Sequence, residues 1–545
     1  MSFEDKVFDM GYAEFAKKPE LGYSLAWSIY SGLMRNPDKV LLCDFSYGNK
    51  DYTAKELLVT SLAFAMELKK FTNKKRIGIA IPPCMMGFIV NYACVFAKII
   101  PVNLNFTLGA EAIKSCVQTA DIDCMISLQD IREKFVQTNQ KFPWSDKYID
   151  AKALVDSFDK ALLEKLESDI FDESLICKTF GIEKEANNNV EATLIFTSGS
   201  EGKPKAAIIT ERNIIGNCLQ VFYTKVFQKD DLLLANLPIF HCFGLLFEVW
   251  HLAICSQATV TLFSPLDIKN NIKALREKRP TVMIGSPTFF RAYLKRANPE
   301  DLKSLRAAIA GAEKTPAGFH DLWNNTFNTK SYTEGYGLTE ATPVVAVNLA
   351  DKDYGYFSTG TRAASVGKLF VGMQACLRDT ETLEVLPLNS RGLLCLRGPN
   401  VFAGYLNDEA TTKKTLDGDW LISGDISRID AEGFLYIEGR LKRFSKIAGE
   451  MVPHITVETA LSKAMNIEDS EVPLIAISQK FDSEKGEVLV LVSAIDISLA
   501  EVKELCRQAG LSNLWMPKSV VKVDKIPLLP SGKLDLSTLS KVAKQ

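Results

Sequence analysis

The chain has 545 residues, and its 64 Lys and Arg against 66 Asp and Glu give a formal net charge of −2 at pH 7. This length predicts two or more domains, and 47% hydrophobic with 24% charged residues is typical of a globular protein. Because the charge is nearly balanced, no overall field attracts nucleic acid or anionic lipid, and we expect no nucleic-acid partner.

Cysteine usage and the apolar segments indicate a cytoplasmic protein. Twelve cysteines are scattered without a CxxC pair, which favours reduced thiols over a zinc site or a disulfide framework. The first residues are acidic and lack the basic start and apolar stretch of a secretory signal. The most apolar segment, 77–101, is interrupted by two prolines, Asn91 and Lys98, so it is interpreted as a buried strand, turn and helix.

Short β-rich segments alternate with segments of helical length in the first two-thirds of the chain. This alternation predicts an α/β fold with buried parallel sheets. The predicted strands are 76–81, 124–128, 193–197, 259–263 and 281–285. The predicted helices are 51–71, 269–278 and 288–296.

From about residue 368 the pattern changes to β-hairpins that end near Gly or Asp. We therefore predict a large N-terminal domain over 1–438, with packed α/β subdomains and a β-rich subdomain at about 365–438. A small α+β C-terminal domain is predicted over 439–545, with a hinge near 440–444. Its predicted elements are a helix at 455–465, strands at 474–477 and 488–492, and a helix at 499–509.

A loop rich in hydroxyls, glycines and lysines follows the predicted strand 193–197. The loop reads Thr197, Ser198, Gly199, Ser200, Glu201, Gly202, Lys203, Pro204 and Lys205. Backbone amides and hydroxyls can donate to phosphate oxygens, glycines allow close approach, and lysines neutralise charge. The spacing is not that of a Walker P-loop. For such a loop alone, a polar surface turn is an equal alternative.

Six further blocks follow this loop in a consistent order. They are LPIFHCFG (237–244), AGAEK (310–314), YTEGYGLTE (332–340), SGD (423–425), GRLKR (439–443) and PSGK (530–533). With the loop, they resemble the adenylate-forming superfamily of acyl-CoA synthetases, luciferases and peptide-synthetase adenylation domains, from about residue 25 to the end. TSGSEGKPKA, GAEK and GRLKRFSKIAGEMV are most similar to the acyl-ACP synthetase half of bacterial 2-acylglycerophosphoethanolamine acyltransferase/acyl-ACP synthetase. An HxxxxD acyltransferase signature is absent near the start, so phospholipid acylation is not expected.

The resemblance implies ATP and Mg²⁺ as cofactors and assigns residues to the phosphates. The loop 197–205 would hold the β and γ phosphates. Glu340 and Thr197 would lie at Mg²⁺, for which a hard oxygen ligand is suitable. Thr339 would contact the α-phosphate.

The resemblance also assigns residues to the nucleoside of ATP. Asp425 would accept hydrogen bonds from the ribose hydroxyls, and Arg440 belongs to the same site. Taken alone, Asp425 could be an ordinary turn residue and Tyr336 a core aromatic. The residues expected around the adenine ring are Tyr336, Gly337, Gly311, Ala312 and Glu313.

Three further positions are assigned to catalysis and domain movement. His241 would border the acyl site and shape it rather than act as a base, since a carboxylate is already ionised at pH 7. Lys533 is the predicted catalytic residue, because its ammonium would offset the repulsion between carboxylate and α-phosphate. The resemblance implies that the C-terminal domain rotates about Lys442, and that a segment including Lys446 and Gly449 then forms a thiol channel.

The acyl substrate is predicted to be a fatty acid. Segments 240–250, 285–290 and 337–345 are rich in apolar residues, which are also typical of ordinary core. No acid occurs from Pro238 until Glu248, whereas the resembled peptide-synthetase domains place a carboxylate early in this segment. A fatty-acid substrate also allows peripheral contact with the inner face of a bacterial membrane.

The acceptor thiol is predicted to belong to acyl carrier protein, with coenzyme A as the alternative. Arg440, Lys442, Arg443 and Lys446 form a basic run that an acidic carrier could approach by electrostatic steering. Solvated lysines or contacts to coenzyme A phosphates explain this run equally well, and only the resemblance favours the carrier. Two other classes are a silent lipid-binding protein, disfavoured by the presence of Lys533, and a luciferase-like oxygenase.

Overall fold

The computed structural model describes residues 6–137, 142–197, 204–447, 450–468, 470, 472–482, 486–528 and 534–544. The strands are β1 (Val7–Asp9), β2 (Val40–Asp44), β3 (Lys50–Thr53), β4 (Arg76–Ile79), β5 (Ile100–Asn103), β6 (Cys124–Ser127), β7 (Lys147–Asp150), β8 (Glu191–Thr197), β9 (Lys205–Thr210), β10 (Leu233–Ala235), β11 (Thr259–Thr261), β12 (Val282–Gly285), β13 (Ala307–Ala310), β14 (Tyr332–Gly337), β15 (Val344–Val347), β16 (Lys352–Asp353), β17 (Ser358–Thr359), β18 (Lys368–Leu369), β19 (Gln374–Arg378), β20 (Gly392–Arg397), β21 (Gly404–Tyr405), β22 (Leu416–Asp417), β23 (Trp420–Ile429), β24 (Leu435–Arg440), β25 (Phe444–Ile447), β26 (Glu450–Pro453), β27 (Ile475–Asp482), β28 (Gly486–Ser493) and β29 (Ser519–Lys522).

Helices lie between most of the strands. They are α1 (Tyr12–Phe15), α2 (Leu25–Met34), α3 (Ala54–Leu68), α4 (Met85–Phe96), α5 (Ala110–Thr119), α6 (Gln129–Gln137), α7 (Ala151–Asp156), α8 (Lys160–Asp169), α9 (Glu173–Phe180), α10 (Glu211–Tyr223), α11 (Cys242–Gly244), α12 (His251–Cys255), α13 (Ile268–Lys278), α14 (Pro287–Leu294), α15 (Phe319–Phe327), α16 (Glu409–Thr415), α17 (His454–Ala464), α18 (Leu499–Gln508) and α19 (Leu536–Ala543). A π-helical segment, Leu245–Trp250, joins α11 to α12.

Two sheets with parallel strands form the centre of the N-terminal domain. The larger has the order β18-β15-β14-β13-β12-β10-β11-β2-β3, and its strands from β14 to β2 are parallel. The smaller, β5-β4-β6-β7, is wholly parallel. Every residue of β12 and β13 is buried, as expected for parallel strands with both faces covered. The predicted α/β fold class is confirmed.

The predicted strand 193–197 does not lie in a parallel sheet. It is the end of β8, which pairs antiparallel with β9 in the three-stranded sheet β21-β9-β8. The connection over 198–204 is too short for the crossover that parallel strands require, so these strands form a hairpin. The loop predicted to bind phosphate therefore lies at a hairpin end.

The predicted helix 51–71 is shorter in the structure. Residues 50–53 form β3, and α3 begins at Ala54 because Thr53 and Glu56 form a capping box. Segment 77–101 comprises a strand, the buried helix α4 and a second strand, as predicted. Among the described residues, the helices fall short of the length and apolarity that crossing a membrane requires.

The β-rich subdomain is an antiparallel sheet with the order β1-β19-β20-β23-β22, and β24 also pairs with β23. Strand β1 pairs with β19 through Val7 and Cys376. The sequence prediction began this subdomain at about residue 365 and did not include β1. Three residues are too few to show a periodic pattern, and the pairing spans most of the chain.

The C-terminal residues form a separate cluster of buried side chains around β27, β28 and helices α17 and α18. At its start, Phe444 packs with Leu393 and Ile426 of the β-rich sheet. The next contacts belong to the C-terminal unit, because the Arg443 side chain donates to the Ile477 carbonyl oxygen at 3.0 Å and also pairs with Glu458. The domain boundary and the hinge near 440–444 stay predictions that these contacts support.

Candidate active site

The buried carboxylate of Asp425 connects three strands. Asp425 is 3% exposed on β23. Its Oδ1 lies 2.9 Å from Nε of Arg440 at the end of β24, and its Oδ2 accepts a hydrogen bond from the hydroxyl of Tyr336 on β14. Arg440 also donates to the carbonyl oxygen of Ser423 at 2.9 Å. The predicted residues Tyr336, Asp425 and Arg440 therefore lie together.

Opposing effects set the charge of Asp425. Burial raises its pKa most strongly, and although the Arg440 guanidinium and the Tyr336 hydroxyl oppose this effect, the pKa stays above its ordinary value. A carboxylate has about four lone-pair positions, and the two donors named use two of them. Asp425 therefore retains the capacity to accept hydrogen bonds from two more groups.

A second polar cluster links Glu340 to Lys205. The hydroxyl of Tyr405 donates to Glu340 Oε1 at 2.6 Å. Lys205 Nζ lies 5.8 Å from the centre of the Tyr405 ring and donates to Thr411 Oγ1 at 3.3 Å. Strand β21 pairs with β9, with Tyr405 opposite Ala207, which brings Tyr405 beside Lys205. Thr197 is the β-partner of Lys205 across the hairpin end.

Glu340 is suited to Mg²⁺ bound together with nucleotide phosphates. The described residues contain no group of three His, Cys, Asp or Glu that could hold a metal ion. Mg²⁺ is usually bound through one or two carboxylates together with substrate phosphates rather than by a complete protein cage. One carboxylate beside the hairpin end fits this arrangement.

Thr339 and His241 are brought near each other through Cys242. The Cys242 Sγ lies 3.3 Å from Thr339 Oγ1. Burial raises the pKa of Cys242 to about 11, so this thiol is neutral at pH 7. His241 directly precedes α11 and is exposed, with its ring 5.3 Å from that of Phe240.

The predicted adenine-site residues lie at the carboxyl end of β14 or directly follow β13. The Gly311 amide donates to the Gly285 carbonyl at 2.9 Å, and Ala312 has a φ of +66°. A Cβ atom at Gly337 would lie 2.2 Å from the Pro343 carbonyl oxygen, so this position requires glycine. The side chain of Glu313 accepts a hydrogen bond from the Thr288 hydroxyl at 2.6 Å.

The remaining predicted site residues are Lys442 and a group that lies outside the described residues. Lys442 is exposed in the turn Leu441–Arg443, and its role as a hinge stays a prediction. The side chain of Lys446 and the residues Ser198, Gly199, Ser200, Glu201, Gly202, Lys203, Gly449 and Lys533 lie outside the described residues.

Sequence reasoning missed Tyr405 and Glu248 as positioning residues. Glu248 lies fully buried in the π-helical segment and accepts the Leu237 amide hydrogen at 2.7 Å. This bond fixes the end of the segment that leads to His241. Burial raises the pKa of Glu248 well above its ordinary value. A buried acid in an apolar segment signals such a role, whereas Tyr405 carries no local signal.

Comparison with known families places the chain. The family model described as AMP-binding enzyme matches residues 32–406. The chain belongs to the AMP-binding enzyme family. The 4-coumarate–CoA ligase of Pinus taeda is 30% identical over 350 residues, which cover 63% of each chain. The acyl-CoA ligase sidI of Aspergillus fumigatus is 31% identical over 379 residues, covering 66% of this chain and 62% of sidI. The matches thus span under two thirds of these relatives.

Two solved structures share the fold of this chain. ATP-bound MatB from Rhodopseudomonas palustris matches with a TM-score of 0.75 and 22% identity, covering 95% of this chain and 99% of MatB. The O-succinylbenzoate CoA synthetase MenE from Bacillus subtilis, in complex with AMP, matches with a TM-score of 0.74 and 21% identity, covering 95% and 98%.

The Glu248→Gln variant tests the buried acid. The raised pKa means that folded Glu248 binds a proton that the unfolded chain has lost above its ordinary pKa of 4.5. The stability of the wild type should therefore fall, relative to the non-titrating variant, as pH rises, by up to about 1.4 kcal/mol per pH unit. Melting temperatures of both proteins between about pH 5 and pH 8 measure this difference. Glu300→Gln, at an exposed position, is the control, and a constant difference for Glu248→Gln contradicts the assignment.

The Tyr405→Phe variant tests the link to Glu340. Without the hydroxyl, Glu340 loses the donor that orients it, and we expect the Mg²⁺ concentration for half-maximal ATP-dependent activity to rise about fivefold, equivalent to ~1 kcal/mol. Titration of Mg²⁺ at fixed ATP measures this. Tyr436→Phe removes a hydroxyl that donates to Asp430 at 3.0 Å in a hairpin and should leave the titration unchanged. An unchanged midpoint in Tyr405→Phe refutes the positioning role.

Proposed function

We propose that this protein is an ATP-dependent acid–thiol ligase that converts an apolar carboxylic acid to its adenylate and then to the coenzyme A thioester. The observation that carries the proposal is the Asp425 carboxylate. Arg440 and Tyr336 hold it, and it keeps acceptor capacity for two hydroxyls, as a ribose presents. The nine-stranded sheet that provides Tyr336 continues through a turn to Glu340.

The chemistry requires two displacements. In the first, a carboxylate oxygen of the acid bonds to the α-phosphorus of ATP and pyrophosphate leaves. In the second, the thiol sulfur bonds to the acyl carbon, AMP leaves, and the thiol proton passes to solvent. Positioning and charge stabilisation dominate phosphoryl chemistry of this kind. Lys205 near the hairpin end, and the predicted Lys533, are the cations suited to the developing negative charge.

A small apolar void beside Cys242 supports an apolar acid. Its volume is about 10 Å³, and its wall carries no charged side chain. The lining residues are Thr193, Ile195, Ile209, Ile214, Cys242, Leu245, Leu246, Trp250 and Thr342. Because a water molecule alone would fill this void, an alkyl chain must displace part of the wall. A fatty acid matches this lining in its apolar character and not in its present volume. An aromatic acid is the second candidate, favoured by relatives named 4-coumarate–CoA ligase.

Coenzyme A is favoured as the thiol by the relatives and by the basic run. Relatives named CoA ligases or acyl-CoA synthetases recur in the comparisons. Arg440 pairs with Asp425, and Arg443 pairs with Glu458, so two charges of the run are already compensated within the chain. Transfer to acyl carrier protein is the second candidate, because Lys442 is exposed and stays suited to an acidic partner.

The test combines purified protein and Mg-ATP with palmitate, laurate or 4-coumarate, and offers coenzyme A or holo-acyl carrier protein in separate reactions. Pyrophosphate release and thioester formation are followed separately. We expect acid-dependent pyrophosphate release and acyl-CoA formation. If the thioester forms only on the carrier protein, the thiol acceptor is the carrier protein and not coenzyme A. Absence of pyrophosphate with every acid would refute the proposed reaction for these acids.

The Lys533→Ala variant tests the predicted catalytic cation. Loss of one preorganised electrostatic partner should slow adenylate formation roughly 10²- to 10³-fold, because the two reacting anions then meet without a compensating charge. Isotope exchange between pyrophosphate and ATP in the presence of the acid reports this half-reaction directly. Lys525→Ala, which removes an exposed lysine, is the matched control. An exchange rate equal to that of the control would contradict the role of Lys533.

A further inference from the structure

A second cavity, of about 330 Å³, lies outside the candidate active site. Its walls come from the ranges 12–21, 397–403 and 416–419, together with Arg212 at the start of α10 and Gly372. The cavity therefore lies between segment 12–21 and the β-rich subdomain. Its volume reaches the lower end of the range, about 300 to 1,000 Å³, in which proteins bind small molecules.

Two arginines line this cavity, and each has N–H donors that its hydrogen bonds within the chain do not use. Arg397 lies 4.8 Å above the ring of Tyr12 and donates from one Nη to Asp419 at 2.9 Å. Its Nε is buried without a hydrogen-bond partner among the described residues. Arg212 donates from one Nη to the Leu21 carbonyl oxygen at 3.3 Å. Since each guanidinium has five N–H donors, both retain unused ones.

One carboxylate opposes these two positive charges. Asp419 is the acidic residue of the lining, and its side chain is 74% exposed. An exposed ion pair of this kind contributes about 0 to 1 kcal/mol, so a ligand oxyanion can compete for the Arg397 fork. Guanidinium groups bind carboxylate and phosphate through two parallel hydrogen bonds. The ring of Tyr12 also lines the cavity, whereas the lining residues Phe15 and Phe402 are only 1% and 2% exposed.

We propose that this cavity is a binding site for a small organic anion. Arg397 and Arg212 bind its phosphate or carboxylate group, and an apolar or aromatic body packs against Tyr12. Both head groups present a pair of oxygens that the planar arginine fork can bind through two parallel hydrogen bonds. The site is independent of the proposed reaction, because none of these three residues is assigned to it.

The cavity shares one wall segment with the candidate active site. The Phe402 amide donates to the Glu340 carbonyl oxygen at 2.9 Å, and the Phe402 ring lies 5.0 Å from the Tyr405 ring. A binding experiment must therefore distinguish the two sites. Saturating AMP occupies the nucleotide site, so binding that persists in its presence belongs elsewhere.

The experiment is isothermal titration calorimetry of the full chain in saturating AMP, with phenyl phosphate, benzoate and the neutral benzyl alcohol as probes. We expect at least one anion to bind and benzyl alcohol not to bind. Arg397→Gln and Arg212→Gln should each weaken the anion roughly 10- to 100-fold, the effect of losing a charge-assisted hydrogen bond. Preference for phenyl phosphate identifies a phosphorylated ligand, and preference for benzoate identifies a carboxylic acid.

The variant Asp419→Asn should raise the anion affinity that the arginine variants lower. It frees Arg397 from its internal partner at an exposed position, so anion affinity should rise severalfold even if an arginine variant fails to fold. Arg428→Gln is the matched control, because Arg428 also lies over a tyrosine ring, at 4.0 Å from Tyr436, but does not line the cavity. The proposal is overturned if neither anion binds, if benzyl alcohol binds equally, or if both arginine variants and Asp419→Asn bind as the wild type does.

Discussion

Burial of the Asp425 carboxylate is the constraint on which the candidate active site depends. A buried charge is tolerated only when it is paired and hydrogen-bonded, and its partners come from two other strands. Tyr336 belongs to the nine-stranded sheet, and Arg440 ends the strand that precedes the C-terminal unit. One carboxylate therefore couples the large sheet, the β-rich sheet and the approach to the C-terminal unit. This arrangement places the candidate polar site where these three parts of the chain meet.

The fold could be predicted where the relevant interactions are local. The capping box of Thr53 and Glu56 and the apolar helix α4 both depend on residues that are close together in the sequence. The prediction was wrong for the orientation of β8 within a sheet, because the periodic pattern identifies a strand without identifying its partner. The length of the connection to β9 would have corrected it, since only a hairpin closes so short a loop.

The candidate site was predicted from ordered sequence blocks rather than from any single residue. Tyr336 and Arg440 are 104 positions apart in sequence, yet both contact Asp425. Tyr405 could not be predicted, because its contact with Glu340 follows from the pairing of two short strands. Local patterns do not encode such a pairing. The arginine-lined cavity is likewise assembled from five separate parts of the sequence, none of which is distinctive alone.

Strand β1 has a consequence for the behaviour of the folded protein in solution. Through its pairing with β19, it covers the backbone groups at one edge of the antiparallel sheet, and the Phe8 ring occupies the space where a side chain at Gly433 would lie. Uncovered sheet edges recruit strands from other molecules. These few residues therefore protect against intermolecular strand addition. Proteolysis before residue 10 would uncover the edge of β19 and favour self-association, although every residue of the candidate active site would remain intact.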